Sequence, residues 1–223
     1  MSRFRRRLIM AAAAGGGEQY IQFADPVVAQ ICATNWGDGV GITPSQAAAV
    51  TSQQFGTKFK NNTQITSFDE LEYFTGLTSI PNNAFYGCSN LTTIRIPDSV
   101  TSLGGVYCFS SSAIQSLVFK SLVSGEGPYY CTSLTCVDFP DTFTTAGSSL
   151  LRSCQAAMIA VFRGTTPPTG ATGNAFSQFN ANSKIYVPYS ADHSVLNLYK
   201  TTDNFANQAS KIYELNPDGT IPT

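Results

Sequence analysis

A single histidine limits the nucleophilic and acid–base chemistry this sequence can assemble. His193 lies in Tyr189-Ser-Ala-Asp192-His193-Ser194, and a Ser-His-Asp or Cys-His site would have to be built on it. It reads as a surface or capping residue. Asp69, Glu70 and Glu72 are three carboxylates close enough to work as acid and base; they read as a solvated face. Six cysteines stand at positions 32, 88, 108, 131, 136 and 154, an even count that invites disulfides. Zinc is not indicated, because Cys131 and Cys136 are separated by four residues and lack partner Cys or His pairs. Between Trp36 and Thr43, the stretch Gly37-Asp38-Gly39-Val40-Gly41-Ile42 offers a calcium ion only Asp38. A calcium loop needs alternating oxygen ligands and a closing acid, and the closing position here is Gln46. No phosphate loop or dinucleotide fingerprint is present, and Gly15 to Gly17 form a hinge rather than a cradle. The expectation is therefore no catalytic residue, no metal and no cofactor.

What organises these residues is a repeat. Leu91-Thr-Thr-Ile94-Arg-Ile96-Pro97 is its clearest copy. Ile114-Gln-Ser-Leu117-Val-Phe119 and Leu134-Thr-Cys-Val137-Asp-Phe139-Pro140 follow, with weaker echoes at Ala157-Met-Ile-Ala160-Val-Phe162 and Asn182-Ser-Lys-Ile185-Tyr-Val187-Pro188. The starts at 91, 114, 134, 157 and 182 are 23, 20, 23 and 25 residues apart. A period of about 20–29 residues with a Leu-x-x-Leu-x-Leu core marks leucine-rich repeats. The last two apolar positions alternate, as one face of a strand requires. One coil buries little alone, so neighbours must stack. Cys88, Cys131 and Cys154 each lie three residues before a repeat start, with Ser111 in that place in the second copy. They read as buried free thiols packed on the turn into the strand. Cys108 and Cys136 fall outside that register.

The sequence Phe74 to Leu103, containing Ile80-Pro-Asn-Asn-Ala-Phe85-Tyr-Gly-Cys88-Ser-Asn-Leu91-Thr-Thr-Ile94-Arg-Ile96-Pro, resembles the BspA-like leucine-rich-repeat family. The likeness extends over roughly residues 65–200 and becomes ragged after 103. It implies an α+β solenoid of short parallel strands, about five irregular repeats, built for binding and display rather than catalysis. Upstream, Pro26–Trp36 has helical spacing, and Thr43-Pro44 is an N-cap and first-turn pair opening a second helix. That region is similar to the EF-hand or dockerin-like cap that precedes such repeats. Downstream, Val195, Leu198 and Tyr199 suggest a short helix, with Phe205, Ile212 and Tyr213 packing back as a C-terminal cap. The expected organisation is an arm over 1–17, a helical cap over 18–60, the repeats over 61–200, and a cap and tail over 201–223.

Composition agrees with stacked strands: hydrophobic residues are 43% and charged residues only 12%. Formal net charge is -1, but Arg3, Arg5, Arg6 and Arg7 precede the first acid, Glu18. The remaining nine of 13 bases face 14 acids, a balance of -5 for the body. Such asymmetry suggests docking to an acidic surface. Leu8 to Ala14 is far below the roughly 18 apolar residues a membrane span needs, and its Ala-rich core followed by glycines makes a poor signal peptide. Basic residues are not interleaved with the aromatics of the body, so nucleic acid is not expected as a partner. The start of the chain resembles the N-terminal anchors of fibre proteins in Bacteroides-type and crAss-like phages. That resemblance implies a virion protein (head fibre, tail accessory or decoration) in multiple copies. Arg3, Arg5, Arg6 and Arg7 would pair with other virion proteins, Phe4, Leu8, Ile9 and Met10 would wedge into them, and the repeats would face a host glycan or protein. The alternative is a secreted or cell-surface adhesin.

Overall fold

The computed structural model describes residues 18–223. The N-terminal segment forms three short helices, α1 (Pro26–Trp36), α2 (Pro44–Ala48) and α3 (Ser52–Phe55). Each start is set by a side-chain cap. Asp25 accepts from the Val27 and Val28 N–H groups, while Thr43 with Gln46 and Thr51 with Gln54 make reciprocal capping boxes. Gln46 thus completes a helix start. Helix α3 carries no apolar period long enough to betray it in the sequence.

Everything after α3 is coil upon coil. The wider strands are β1 (Ser67–Phe68), β3 (Thr93–Ile94), β5 (Ser116–Val118), β7 (Cys136–Phe139), β9 (Ile159–Phe162) and β10 (Lys184–Val187). Between them run the narrow strands β2 (Ser79–Ile80), β4 (Ser102–Leu103), β6 (Ser124–Gly125) and β8 (Thr145–Ala146). All pair parallel: β1 with β3, β5-β7-β9-β10 in one sheet, and β2-β4-β6-β8 in another. A last strand, β11 (Ile212–Glu214), joins β10 after the helices α4 (Ser194–Thr201) and α5 (Asp203–Ala206).

The register puts one residue type per coil on a common line. Leu117, Val137, Ala160, Ile185 and Ile212 form one inward ladder, and all five are buried. Phe139 pairs with Phe162 across β7 and β9; the rings stack at 4.9 Å, and Phe119 stacks on Phe139 at 5.8 Å. On the turn side a second aromatic column runs Phe59, Phe85, Phe109, at 5.6 and 5.8 Å. The inward positions Leu91, Ile94, Ile96, Ile114, Phe119, Leu134 and Val187 are likewise buried.

The array begins one coil earlier than the sequence pattern suggests, at Ile65 and Phe68, both fully buried. Phe68 pairs with Ile94. Three register assignments shift by one residue. Ala157 and Asn182 are exposed, while Met158 and Ser183 point inward. Ser112, buried and bonded through its N–H to Phe109 O at 3.2 Å, matches Cys88 and Cys154, whose N–H groups bond to Phe85 O and Leu151 O at 3.3 Å. Ser111 instead holds the left-handed position of Gly87, at φ +58° against +71°. Ser112 lies two residues before Ile114 where Cys88 lies three before Leu91, and the turn absorbs the difference.

Both ends of the core are covered. Trp36 on α1 stacks on Phe55 at 5.4 Å, and Phe55 meets Phe59 at 5.4 Å, closing the first coil. At the other end Phe205 meets Phe162 and Tyr199 at 5.1 Å each. The Tyr199 hydroxyl donates to Gly164 O and Thr166 O. A terminal coil without such cover would expose its apolar face. Of the residues expected in the C-terminal cap, Tyr199, Phe205 and Ile212 are buried, but Leu198 and Tyr213 are exposed.

Candidate interaction surface

The ladder that fixes inward residues fixes the outward ones too, because side chains alternate along a strand. Ser116, Cys136, Ile159 and Lys184 form one outward row, and Val118, Asp138, Val161, Tyr186 and Tyr213 the next. The second row is partly covered: Leu215 packs on Val161 and Tyr186. Arg163 grips Asp138 through both carboxylate oxygens, at 2.8 and 2.6 Å, and also donates to Gly219 O at 3.4 Å. That fork keeps Arg163 above its ordinary pKa. Beside it Val118, Lys120, Asp138, Asp141 and Arg163 line a shallow depression of about 400 Å³.

A second depression, about 430 Å³, opens where the helical segment meets the first coil, lined by Tyr20, Asp69, Glu70, Glu72, Tyr73 and Arg95 among others. Its carboxylates are mostly engaged. Glu72 pairs with Arg95 at 3.0 Å, and Glu70 Oε1 accepts the Ala24 N–H at 2.8 Å. Glu70 therefore ties the helical segment to the array, a role its neighbours Asp69 and Glu72, both exposed, do not share. Asp38 is engaged within its own loop, accepting from Val40, Gly41 and the Tyr20 hydroxyl. The Tyr20 bond, then those backbone donors, lower its pKa to about 2. Asp25 works harder: it caps α1 and its other oxygen accepts the Thr66 N–H and hydroxyl at 2.7 and 3.0 Å. Burial disfavours its charge, but the Thr66, Val28 and Val27 bonds outweigh that and hold the pKa below the usual value.

The cysteines are free thiols. Cys88, Cys131 and Cys154 donate to carbonyls of the preceding coil, Phe59, Phe109 and Pro128, at 3.0, 3.4 and 3.7 Å. Cys108 does the same toward Ile80 O at 3.3 Å, which gives this off-register residue a role. Burial pushes Cys88 and Cys108 up to about 12 and Cys32 higher still. Contact with the Cys154 thiol and burial raise Cys131 as well. Cys136 alone is half-buried, on the outward row.

His193 starts α4 in left-handed backbone, φ +58°, with Nδ1 2.7 Å from Glu214 on β11. It joins the start of α4 to the last strand. Among the described residues no group of three or more His, Cys, Asp or Glu is placed to hold a metal, and no helix is long and apolar enough to cross a membrane. Arg3, Phe4, Arg5, Arg6, Arg7, Leu8, Ile9 and Met10 lie outside the described residues.

A third surface, on the turn side, was not anticipated. Tyr86, Tyr107 and Tyr129 stand in a row there with ring centroids 6.0 and 5.7 Å apart, and Tyr130 continues it at 6.1 Å. Its signal in the sequence was the tyrosine that recurs beside the turn, hidden by the shift of register described above.

Residues 57–181 match the model of the BspA type leucine rich repeat region, in six copies. The chain belongs to that family. The match takes in the coil of Ile65 and Phe68, which the sequence pattern did not mark, and ends just before the coil of Ser183. The family is one of interaction modules, and its coils account for the short parallel strands seen here. No curated protein matches the chain.

Proposed function

We propose that the chain is a non-enzymatic structural and attachment protein of a phage particle, of the head-fibre, tail-accessory or decoration kind. Residues 1–17 hold it to other virion proteins, and the BspA-type array is what it presents. The observation that supports this most is the division of charge. Four arginines crowd ahead of the first acid, while the rest of the chain carries -5. Arg3, Arg5, Arg6 and Arg7 pair with acids of the docking protein. Phe4, Leu8, Ile9 and Met10 fill an apolar recess, and Gly15 to Gly17 let the body stand away from the shell. The interaction role of the repeats is compatible with many copies per particle.

The test is to remove residues 1–17 and compare incorporation into particles with that of the full chain. The expected outcome is a body with unchanged melting that no longer co-purifies with particles. Normal incorporation would sink the anchor, and recovery of the natural protein from a bacterial surface instead would favour an adhesin.

A further inference from the structure

The row of tyrosines on the turn side serves neither the core nor the caps. Lys60, Tyr86, Tyr129 and Arg152 occupy one coil position. The third coil has the buried Ser110 there, and Tyr107 fills the resulting gap. A cation lies over the ring at each end: Lys60 Nζ is 5.6 Å from the Tyr86 centroid, and the Arg152 guanidinium is 5.6 Å from that of Tyr129. Tyr107 and Tyr130 are 41% and 47% exposed. The tyrosine hydroxyls with protein partners among the described residues belong to Tyr20, Tyr199 and Tyr213, so those of the row are free. Glu126, the nearest acid in sequence, is turned toward the Ser149 N–H at 3.3 Å.

We propose that this row is a track for an extended acidic polysaccharide, with sugars meeting the exposed rings of Tyr107 and Tyr130 and sugar carboxylates paired to Lys60 and Arg152. The electron-rich face of an aromatic ring attracts the polarised C–H face of a pyranose, and the phenol tip supplies a hydrogen bond alongside. The rings follow one another at 6.0, 5.7 and 6.1 Å between centroids. A polymer with a short repeat can meet them in succession. A globular partner instead needs a broad patch of about 800 Å² with its anchors clustered at the centre, and the row is one ring wide. Tyr130 supplies an independent observation. It sits at φ +52° in the position where other coils carry Gly87, Ser111, Ser153 and Gln178. The turn is left-handed in every coil, and here it holds out a large exposed side chain that contributes nothing to the core. The two cations reverse locally the sign of the acidic body, which selects a polyanion over a neutral glycan.

This track goes beyond the attachment role and does not depend on the arm: removing residues 1–17 leaves it intact, so the two readings fail separately. The test is affinity electrophoresis of the full chain in gels containing polygalacturonate, neutral dextran or single-stranded DNA. Polygalacturonate is expected to retard the protein. Tyr107→Ala with Tyr130→Ala should weaken that retardation about tenfold or more with unchanged melting, while Tyr107→Phe should leave it nearly intact. Lys60→Gln, on a separate coil, should weaken it and flatten its salt dependence even if the tyrosine pair proved unstable. An unretarded wild-type chain, equal retardation by dextran, retardation by DNA alone, or a well-folded double variant that binds as the parent does would each overturn the proposal.

Discussion

Phe139→Ala should be among the most damaging substitutions in the array. Phe139 is fully buried on β7 and has ring neighbours on three sides: Phe143 at 4.7 Å, Phe162 at 4.9 Å and Phe119 at 5.8 Å. Truncating a core Phe costs about 3–5 kcal/mol through lost transfer energy and the cavity left behind. Three stacked partners put this site at the upper end, near 5 kcal/mol. For a chain of this length each kcal/mol moves Tm by about 2–4 °C, so the expected drop is about 10–20 °C. The neighbours on β5 and β9 cannot close the gap, because the ladder bonds of Val137 and Asp138 fix the spacing of the coils. Val118→Ala is the internal control: it is outward, 51% exposed and paired with Asp138, and it should cost within about 0.5 kcal/mol. Circular dichroism melts of both variants give the comparison. Hydrogen exchange should show opening centred on β7 and its neighbours rather than on α1, since coils couple mainly to those adjacent. Equal drops for the two variants would refute the reasoning, because a one-residue slip of a strand exchanges its inward and outward faces.

Asp25→Asn should cost about 1–3 kcal/mol, since Asn keeps one oxygen for the cap of α1 but turns a donor on the Thr66 N–H. The folded pKa of Asp25 is depressed, so its stabilisation is present above the unfolded value of about 3.9 and is lost as pH falls through the folded one; urea midpoints between neutral pH and about pH 2.5 should fall for the parent and flatten for the variant in that window. Brief alkylation with iodoacetamide near pH 8 should modify Cys136 alone in the native protein and all six cysteines after unfolding, as counted by mass spectrometry; rapid native labelling of Cys88 or Cys131 would contradict their burial. Ser111→Gly should stabilise the fold by about 0.5–1 kcal/mol by relieving left-handed strain net of glycine's entropy, whereas a loss of that size would mean that Ser111, not Ser112, faces the core.

The repeat was legible wherever an apolar strand residue sat two or three places from the next, as at Leu91, Ile94 and Ile96. Helix α1 was legible too, because Pro26 and the spacing to Trp36 declare both of its ends. The turn was harder to read. Counting back a fixed three residues from Ile114 gives Ser111, but burial favours Ser112, because a left-handed residue lets the turn shorten without moving the strand. Ala157 and Asn182 were misplaced for a related reason: Met158 and Ser183 fill the inward position with residues outside the Leu/Ile/Val pattern, and the Ser183 hydroxyl accepts the Met158 N–H at 3.1 Å. The coil of Ile65 and Phe68 was hidden by Phe standing for Leu. The narrow sheet was invisible, since strands of two residues leave no period. The tyrosine row depends on which residues of successive turns fall side by side, which no single copy of the repeat reveals.

The unequal spacing of the coils carries a consequence for how such a molecule can change over generations. Its strands are locked by parallel hydrogen bonds, but the turns opposite them vary in length and tolerate Gly, Ser, Tyr or Gln at the same left-handed place. A codon gained, lost or exchanged in a turn alters only what the outside world meets. The coat of side chains on that flank can therefore be rewritten one coil at a time, while the strands that carry it stay in step.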